Sequence, residues 1–175
     1  MNNIFLIGSA HVGKSTIVQN TVSQLASIRI GGFFTEPIFE RQSHIGYQIR
    51  SVSNRKMVFA HEKFRGAYRV GRFGILPDAF EKIGVAALAH ALDTCQLIVM
   101  DEIGLMERGA LQFQKQIIRC LESEIPVLGV MQRKAFNWWK SLLNPDDLGL
   151  IAVSESNRDN LPQKILPDIL KILHK

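Results

Sequence analysis

One stretch near the N-terminus constrains the fold more than any other part of the chain. Residues Gly8–Thr16 read GSAHVGKST and fit G-x-x-x-x-G-K-[ST], the pattern of a phosphate-binding loop. The apolar run Ile4–Ile7 ends where this loop begins, and apolar residues at helical spacing follow from Ile17 to Ile28. A strand, a loop and a helix in that order are the context that the motif requires. The pattern therefore predicts a triphosphate site at the end of the first strand.

The loop residues have different expected roles. Glycines at 8 and 13 let the backbone approach a phosphate, and the amides from about His11 to Ser15 can surround its oxygens at a helix N-terminus. Lys14 is expected to reach the β and γ phosphates, and the Ser15 hydroxyl is placed to bind Mg²⁺. His11 is expected to face solvent or ligand. The predicted nucleotide-binding residues of this segment are Gly8, Ser9, Ala10, His11, Val12, Gly13, Lys14, Ser15 and Thr16.

A second buried strand ends in two acids. The apolar run Leu97–Met100 is followed by Asp101 and Glu102. Ligands of open α/β sheets bind at the carboxyl ends of the strands, so Asp101 is expected to join the Mg²⁺ shell. Glu102, one step further on, can orient and activate a water in line with the γ phosphate. This pairing favours hydrolysis of the nucleotide.

Phosphoryl transfer also calls for a cation that stabilises developing charge. Arg158 is the preferred candidate, because it follows the predicted strand end at Val153 and would lie at the active edge of the sheet. Two arginines of a basic segment could reach over the site instead. The full set of candidates is Arg65, Arg69, Arg72, Arg133 and Arg158.

Composition restricts the class of protein. The chain has 175 residues, of which 46% are hydrophobic and 21% charged, a usual mix for a globular protein. No apolar stretch approaches the ~18 residues of a membrane span. Cys95 and Cys120 lack metal-ligand spacing and are expected to be packing thiols in a reducing compartment, the cytoplasm. The net charge is +5, and most of the positive excess lies in residues 50–72, which carry seven Lys or Arg and one Glu.

The rest of the chain alternates between predicted strands and helices. A glycine-interrupted strand over 29–36 meets Pro37, which ends the strand or marks a sheet edge. Antiparallel strands are expected at 45–49 and 57–60, and a loop or flap over 61–76 with one short strand near 69–70. The later elements are expected as a helix over 77–92, a strand over 97–100, a helix over 107–122, a strand over 126–131, a helix over 136–143, a strand over 148–153 and a helix over 160–173.

This order predicts an α/β fold of the P-loop NTPase type, with a doubly wound, mostly parallel sheet and a small antiparallel β insert. We expect one domain over residues 1–175, in which residues 37–76 form a β-rich, basic insert or flap.

Several short motifs in this order resemble one family, the THEP1-type nucleoside-triphosphatases, over nearly the whole chain. Besides the loop, the matching segments are Gly32–Glu36, Ile45–Tyr47, Arg69–Gly71, Asp101–Glu107 and Asn157–Asp159. The chain departs from the family pattern at Leu105, where a lysine is usual, at His11, where a small residue or proline is usual, and at Ser156, where glutamate is frequent.

The resemblance implies Mg²⁺-dependent hydrolysis of nucleoside triphosphates such as ATP and GTP to diphosphate and phosphate. It also implies a second nucleotide-binding segment, consisting of Asp101, Glu102, Ile103, Gly104, Leu105, Met106, Glu107 and Arg108. The predicted catalytic residues are Glu102, Lys14 and Arg158, and the predicted metal ligands are Ser15 and Asp101. We expect a monomer with no membrane partner and no nucleic-acid partner.

Two alternatives stay open at this stage. A small-molecule or nucleotide kinase would use the same loop, with Arg65, Arg69 and Arg72 as a lid. A nucleotide-gated RNA-binding module would use the basic segment 50–72. A Ras-like guanine switch is not expected, because the chain has no [NT]-K-x-D motif. The adjacent residues Trp138 and Trp139 are expected in the core or at a partner rather than against a base.

Overall fold

The computed structural model describes residues 2–66, 68–143 and 148–173. The strands are β1 Asn3–Gly8, β2 Ile30–Glu40, β3 Ser43–Ser51, β4 Lys56–His61, β5 Tyr68–Val70, β6 Phe73–Ile75, β7 Leu97–Ile103, β8 Val127–Gln132 and β9 Leu148–Val153. The α-helices are α1 Lys14–Ser23, α2 Val85–Thr94, α3 Leu111–Leu121, α4 Phe136–Lys140 and α5 Leu161–Leu173. This series contains the strand-loop-helix unit that the N-terminal motif predicted.

The nine strands of the described residues belong to one sheet, in the order β5-β6-β4-β3-β2-β7-β8-β1-β9. The pairs β2–β7, β7–β8, β8–β1 and β1–β9 are parallel. The carboxyl ends of β1, β7, β8 and β9 therefore meet at one edge, which is where ligands of such sheets bind. Strand β8 lies between β1, which leads into the phosphate-binding loop, and β7, which carries the acid pair.

The other half of the sheet is antiparallel and extends outward from β2. Strand β2 pairs with β3, β3 with β4, β4 with β6, and β6 with β5. Pro37 does not end β2, which runs on to Glu40 while Pro37 lies opposite Tyr47 of β3. The parallel pairing with β7 stops at Phe34, so Pro37 lies where one side of β2 is an edge, as a residue without an N–H requires.

Alternation along the central strands builds a core on each face of the sheet. In β1, Phe5 packs into one core and Leu6 into the other, and both side chains are fully buried. Helix α1 packs against α5 and against the strands beneath it, whereas α2 packs against β2 and α3. The predicted doubly wound α/β fold with an antiparallel extension is confirmed.

Several predicted boundaries were wrong. Helix α1 ends at Ser23 rather than near residue 28, and turns fill the remainder. The helix predicted over 77–92 is a π-helical turn, Phe80–Gly84, followed by α2. The helix predicted over 107–122 is a 3₁₀ turn, Met106–Gly109, followed by α3. Local periodicity alone does not distinguish these tighter or wider turns from the α-helix.

Three further differences concern strands and the short fourth helix. The region 61–76 contains two short strands, β5 and β6, rather than one, because they pair with each other across a tight turn at Gly71. Strand β7 continues through the acid pair to Ile103. Helix α4 ends at Lys140 instead of residue 143.

Candidate active site

The phosphate-binding loop closely follows β1 at the edge of the sheet. A Cβ atom built on Gly8 would lie 2.7 Å from the carbonyl oxygen of Val153 in the neighbouring strand, so only glycine fits there. Gly13 has φ +106°, a conformation that favours glycine, and it precedes the first residue of α1. His11 is exposed and also has a positive φ, of 60°. The loop thus has the backbone shape that leaves amides free to face an anion.

Lys14 folds back over this loop. Its Nζ donates hydrogen bonds to the carbonyl oxygens of Ser9, at 2.8 Å, and of Gly8, at 3.4 Å. The lysine side chain is largely buried, with 7% exposed. A cation held inside the concave side of the loop lies where a bound phosphate would need a counter-charge.

The Ser15 hydroxyl joins the loop to strand β7. It donates to Oδ1 of Asp101 across 2.9 Å, although 86 residues separate the two. The other carboxylate oxygen of Asp101, Oδ2, is buried without a hydrogen-bond partner among the described residues. Burial raises the pKa of Asp101 to about 7; the Ser15 hydrogen bond opposes this shift, nearby Glu102 adds to it, and Lys14 opposes it.

A hydroxyl and a buried, under-satisfied carboxylate oxygen at one place fit a hard cation such as Mg²⁺. This ion prefers oxygen ligands and commonly takes one or two from the protein, completing its shell with phosphates and water. In the described part of the chain, no group of three or more His, Cys, Asp or Glu side chains could hold a metal ion. The Ser15–Asp101 pair offers the kind of oxygen donors that the predicted ion would need.

Glu102 is held by residues of two neighbouring strands. Its Oε1 accepts a hydrogen bond from Nε2 of Gln132 at 2.5 Å, and its backbone N–H donates to Oγ1 of Thr35 at 3.3 Å. Glu102 is half-buried, and its charge acts on Tyr47 of β3. Burial raises the pKa of Tyr47, and the negative charge of Glu102 raises it further, while Arg72 lowers it. The charge of this acid is therefore felt in the antiparallel part of the sheet.

The segment after Glu102 turns sharply. The buried carboxylate of Glu107 accepts a hydrogen bond from the backbone N–H of Gly104 at 2.8 Å. The indole Nε1 of Trp139 donates to the Gly104 carbonyl at 3.0 Å, so Trp139 is a core residue, fully buried. Burial raises the pKa of Glu107 to about 8, with hydrogen bonds from its own backbone N–H and from that of Gly104 opposing the shift.

The remaining residues of the predicted second segment lie in the core or at the surface. Ile103 is buried in the core, and Leu105 and Met106 are half-buried against it. Arg108 is exposed, with its guanidinium 5.2 Å from the ring centre of half-buried Trp138. Two residues of the predicted second segment are connected to the loop. Asp101 accepts a hydrogen bond from Ser15, and Glu102 accepts one from Gln132, which lies in register with Gly8.

Arg158 lies beside the phosphate-binding loop. A Cβ atom built on Gly13 would be 3.6 Å from Cδ of Arg158, and the arginine side chain is 43% exposed. Asn157 shapes the turn that carries it: Oδ1 accepts from the Ser154 N–H and Nδ2 donates to the Ala152 carbonyl, both at 2.9 Å. The turn after β9 thus directs a cation towards the start of α1.

The other candidate arginines are placed differently. Arg69 and Arg72 donate hydrogen bonds within the antiparallel extension, Arg69 to the Arg72 carbonyl and Arg72 to the His44 carbonyl. Arg65 and Arg133 are exposed.

Sequence patterns did not single out three residues of this arrangement. Gln132 is an ordinary polar residue at the end of β8, and Thr35 appeared only as a letter of a family motif. Tyr68 accepts from the Gly109 N–H at 3.2 Å and donates to the Met106 carbonyl, which ties β5 to the turn after β7. Of the three, only Gln132 had a sequence signal of a site residue: it lies at the end of a predicted strand, and the carboxyl ends of parallel strands meet at one edge of the sheet.

A parallel sheet whose first strand leads through this loop into α1 defines the class: the chain has a P-loop NTPase fold. A family model described as NTPase matches residues 3–166. The chain belongs to this family, that of the THEP1 nucleoside-triphosphatases, and the resemblance drawn from the motifs is confirmed.

Relatives match the chain along nearly its full length. It is 34% identical over 177 residues to nucleoside-triphosphatase THEP1 of Methanosarcina acetivorans, covering 99% of each chain. It is 30% identical over 176 residues to nucleoside-triphosphatase THEP1 of Thermofilum pendens, covering 98% of this chain and 97% of the relative.

Two solved structures share the fold. The crystal structure of THEP1 from the hyperthermophile Aquifex aeolicus matches with a TM-score of 0.84 at 25% identity, covering 95% of this chain and 98% of that one. The solution structure of a human cancer-related nucleoside triphosphatase has a TM-score of 0.83 at 23% identity and covers 98% of both chains.

Two observations concern the environment of the protein. Within the described ranges, no helix has the length and apolar character needed to cross a membrane. Cys95 and Cys120 are both free thiols.

Proposed function

We propose that this protein hydrolyses nucleoside triphosphates, ATP and GTP among them, to nucleoside diphosphate and phosphate in a Mg²⁺-dependent reaction. The observation that carries the proposal is the 2.9 Å hydrogen bond from Ser15 to Asp101. It joins the phosphate-binding loop to strand β7, which carries Glu102 next to Asp101. Membership of the THEP1 family supports the same reaction.

The loop Gly8–Thr16 binds the triphosphate through its amides and through Lys14, which exchanges its bonds to the carbonyls of Gly8 and Ser9 for phosphate oxygens. Ser15 and Asp101 are the residues that would hold Mg²⁺. When bound, this ion neutralises phosphate charge and polarises the phosphoryl oxygens.

Glu102 provides the step that distinguishes hydrolysis from binding. Its carboxylate accepts a proton from a water and orients that water towards the γ phosphate. Lys14 and Arg158 stabilise the charge that spreads over the equatorial oxygens and the leaving diphosphate. Because these groups act mainly on phosphates, we propose that the protein has only a weak preference among nucleotide bases.

The proposal extends to the setting of the reaction. We infer one functional domain over residues 1–175 that acts as a monomer on free nucleotides, without a nucleic-acid partner. The two free thiols support a reducing compartment, and we assign the cytoplasm.

The decisive measurement is phosphate release from ATP and from GTP with Mg²⁺ in water, with no phosphate acceptor added. We expect turnover in the wild type, and a fall of about 10²–10⁴-fold in Glu102→Gln with nucleotide binding retained. Glu124→Gln changes an exposed acid at the other edge of the sheet and serves as the matched control.

Two outcomes would contradict the proposal. Wild-type turnover in the Glu102→Gln variant would remove Glu102 from the chemistry. Negligible phosphate release that appears as phosphoryl transfer once a nucleoside or nucleoside monophosphate is added would identify a kinase instead.

A further inference from the structure

Gln132 occupies the position between the two halves of the site. It is the last residue of β8, and its Cα is in register with that of Gly8, where the phosphate-binding loop begins. Its side chain points the other way along the sheet edge, and Nε2 donates to Oε1 of Glu102 at 2.5 Å. One residue thus has its backbone beside the loop and its amide on the acid.

The wall behind the Gln132 amide is formed by Gly104. A Cβ atom at this glycine would lie 2.5 Å from both Cδ and Oε1 of Gln132, so the amide plane rests directly on the glycine backbone. Gly104 is itself fixed from two sides, by the buried Glu107 carboxylate on its N–H and by the Trp139 indole on its carbonyl. The orientation of the amide is therefore set by residues of the core.

The Gln132 hydrogen bond also makes the two oxygens of Glu102 different. Oε1 is engaged by the amide, while Oε2 has no protein hydrogen-bond partner among the described residues. A carboxylate that takes a proton from one water needs one free oxygen and a fixed plane. An amide donor on the other oxygen fixes the plane and leaves that oxygen free.

We propose that Gln132 is a positioning residue for hydrolysis, which holds the Glu102 carboxylate so that Oε2 faces the attacking water. This inference rests on the proposed function, because it assigns Gln132 a task only if Glu102 orients water. It makes a distinct claim about kinetics. Gln132 acts through Glu102, so its contribution exists only while Glu102 is present.

The test is a double-mutant cycle on phosphate release from ATP with Mg²⁺. Gln132→Met keeps the length of the side chain and removes the donor, so kcat should fall by about 10²-fold because the reacting group loses its alignment. KM and the Kd of a non-hydrolysable ATP analogue should change by less than about threefold, since uniform binding is untouched. In the Glu102→Gln background, Gln132→Met should lower single-turnover hydrolysis by less than about twofold.

The chain offers a matched control in a second amide–carboxylate pair. Gln48 donates to Oε2 of Glu36 at 2.9 Å in the antiparallel extension, so Gln48→Met removes the same kind of bond elsewhere. Its kcat should equal that of the wild type. A second variant, Gly104→Ala, pushes the Gln132 amide aside without changing Gln132 and should lower kcat with KM retained.

The results separate this inference from the proposed function. If Glu102→Gln loses hydrolysis but Gln132→Met keeps wild-type kcat, or if the two losses multiply in the double variant, the positioning role is wrong and the proposed function stands. If KM rises while kcat is unchanged, Gln132 contributes to binding and the inference is also overturned. If the wild type releases no phosphate, the proposed function itself fails.

Discussion

The side chain of Arg158 lies against Gly13, within 3.6 Å of where a Cβ atom on that glycine would be. The two residues come from the turn after β9 and from the position before α1, so this contact places the Arg158 side chain next to the loop, where its Nε also lies 3.7 Å from Oδ1 of exposed Asp159. Two candidate arginines of the antiparallel extension, Arg69 and Arg72, have their guanidinium groups on backbone carbonyls of the extension. Position therefore favours Arg158 as the arginine that meets the phosphates.

Removal of that cation should slow the chemistry. We expect Arg158→Ala to lower kcat by about 10²–10³-fold, the usual cost of losing one charge-stabilising donor, and Arg158→Lys to recover part of it. Steady-state phosphate release measures both. Arg119→Ala, an exposed arginine on α3, is the control, and the assignment of Arg158 is wrong if the two alanine variants have equal kcat.

Loss of the Ser15 hydroxyl should raise the Mg²⁺ requirement. Ser15 donates to Asp101 and is proposed as a ligand, so Ser15→Ala removes one oxygen and leaves the Asp101 carboxylate with less support. We expect the Mg²⁺ concentration for half-maximal phosphate release to rise by about 10-fold or more. A Mg²⁺ titration at saturating ATP tests this, with Ser23→Ala, an exposed hydroxyl at the end of α1, as the control.

Because of Glu107, the free energy of unfolding, measured without added Mg²⁺, should decrease as the pH rises. Its pKa is raised from 4.5 to about 8, so the folded state holds a proton that the unfolded state has lost between these values. Stability is therefore greatest below pH 4.5 as far as this group is concerned, and it declines until about pH 8. Asp101, with a pKa raised to about 7, contributes a similar decline that ends earlier.

Thermal unfolding across pH measures this effect. In Glu107→Gln, which keeps an oxygen acceptor for the Gly104 N–H, the decline should end near pH 7 and the Tm at pH 8.5 should exceed that of the wild type by several degrees. Parallel Tm curves for the two proteins between pH 5 and 9 would contradict the buried, proton-holding state of Glu107.

Tyr68 should couple the antiparallel extension to the turn after β7. Its hydroxyl bonds the Met106 carbonyl and the Gly109 N–H, so Tyr68→Phe removes two hydrogen bonds without changing the ring. We expect a loss of about 1–2 kcal/mol in the free energy of unfolding and faster hydrogen exchange at the Gly109 amide. Unchanged exchange at Gly109 would show that the turn keeps its structure without β5.

The sequence predicted those parts of the site whose residues are neighbours along the chain. The run Ile4–Ile7 followed by Gly8–Thr16 specifies a strand, a loop and a helix over neighbouring residues, and Asp101 with Glu102 follows an equally clear buried strand. That the carboxyl ends of these strands meet then follows from the parallel sheet.

The remaining parts depend on contacts between distant residues. Gln132 is thirty positions from Glu102, and its place at the end of a predicted strand does not show that its amide reaches that acid. Glu107 is buried with its carboxylate on the Gly104 N–H, and Trp139 bonds the carbonyl of the same glycine, whereas a charged residue after a strand is otherwise expected at the surface. The start of α2 was misplaced because the π-helical turn keeps an apolar face similar to that of an α-helix.

The position of β8 between β1 and β7 fixes the distance between the phosphate-binding loop and the acid pair. Neighbouring strands are about 4.8 Å apart, so the axes of β1 and β7 are separated by about 10 Å at the edge where the loop and Glu102 lie. In the proposed reaction, a polyphosphate that binds at the loop has to extend across part of this gap before it comes within reach of the acid. Backbone hydrogen bonds maintain the gap, so we expect discrimination between triphosphates and diphosphates to persist through side-chain changes that alter the rate.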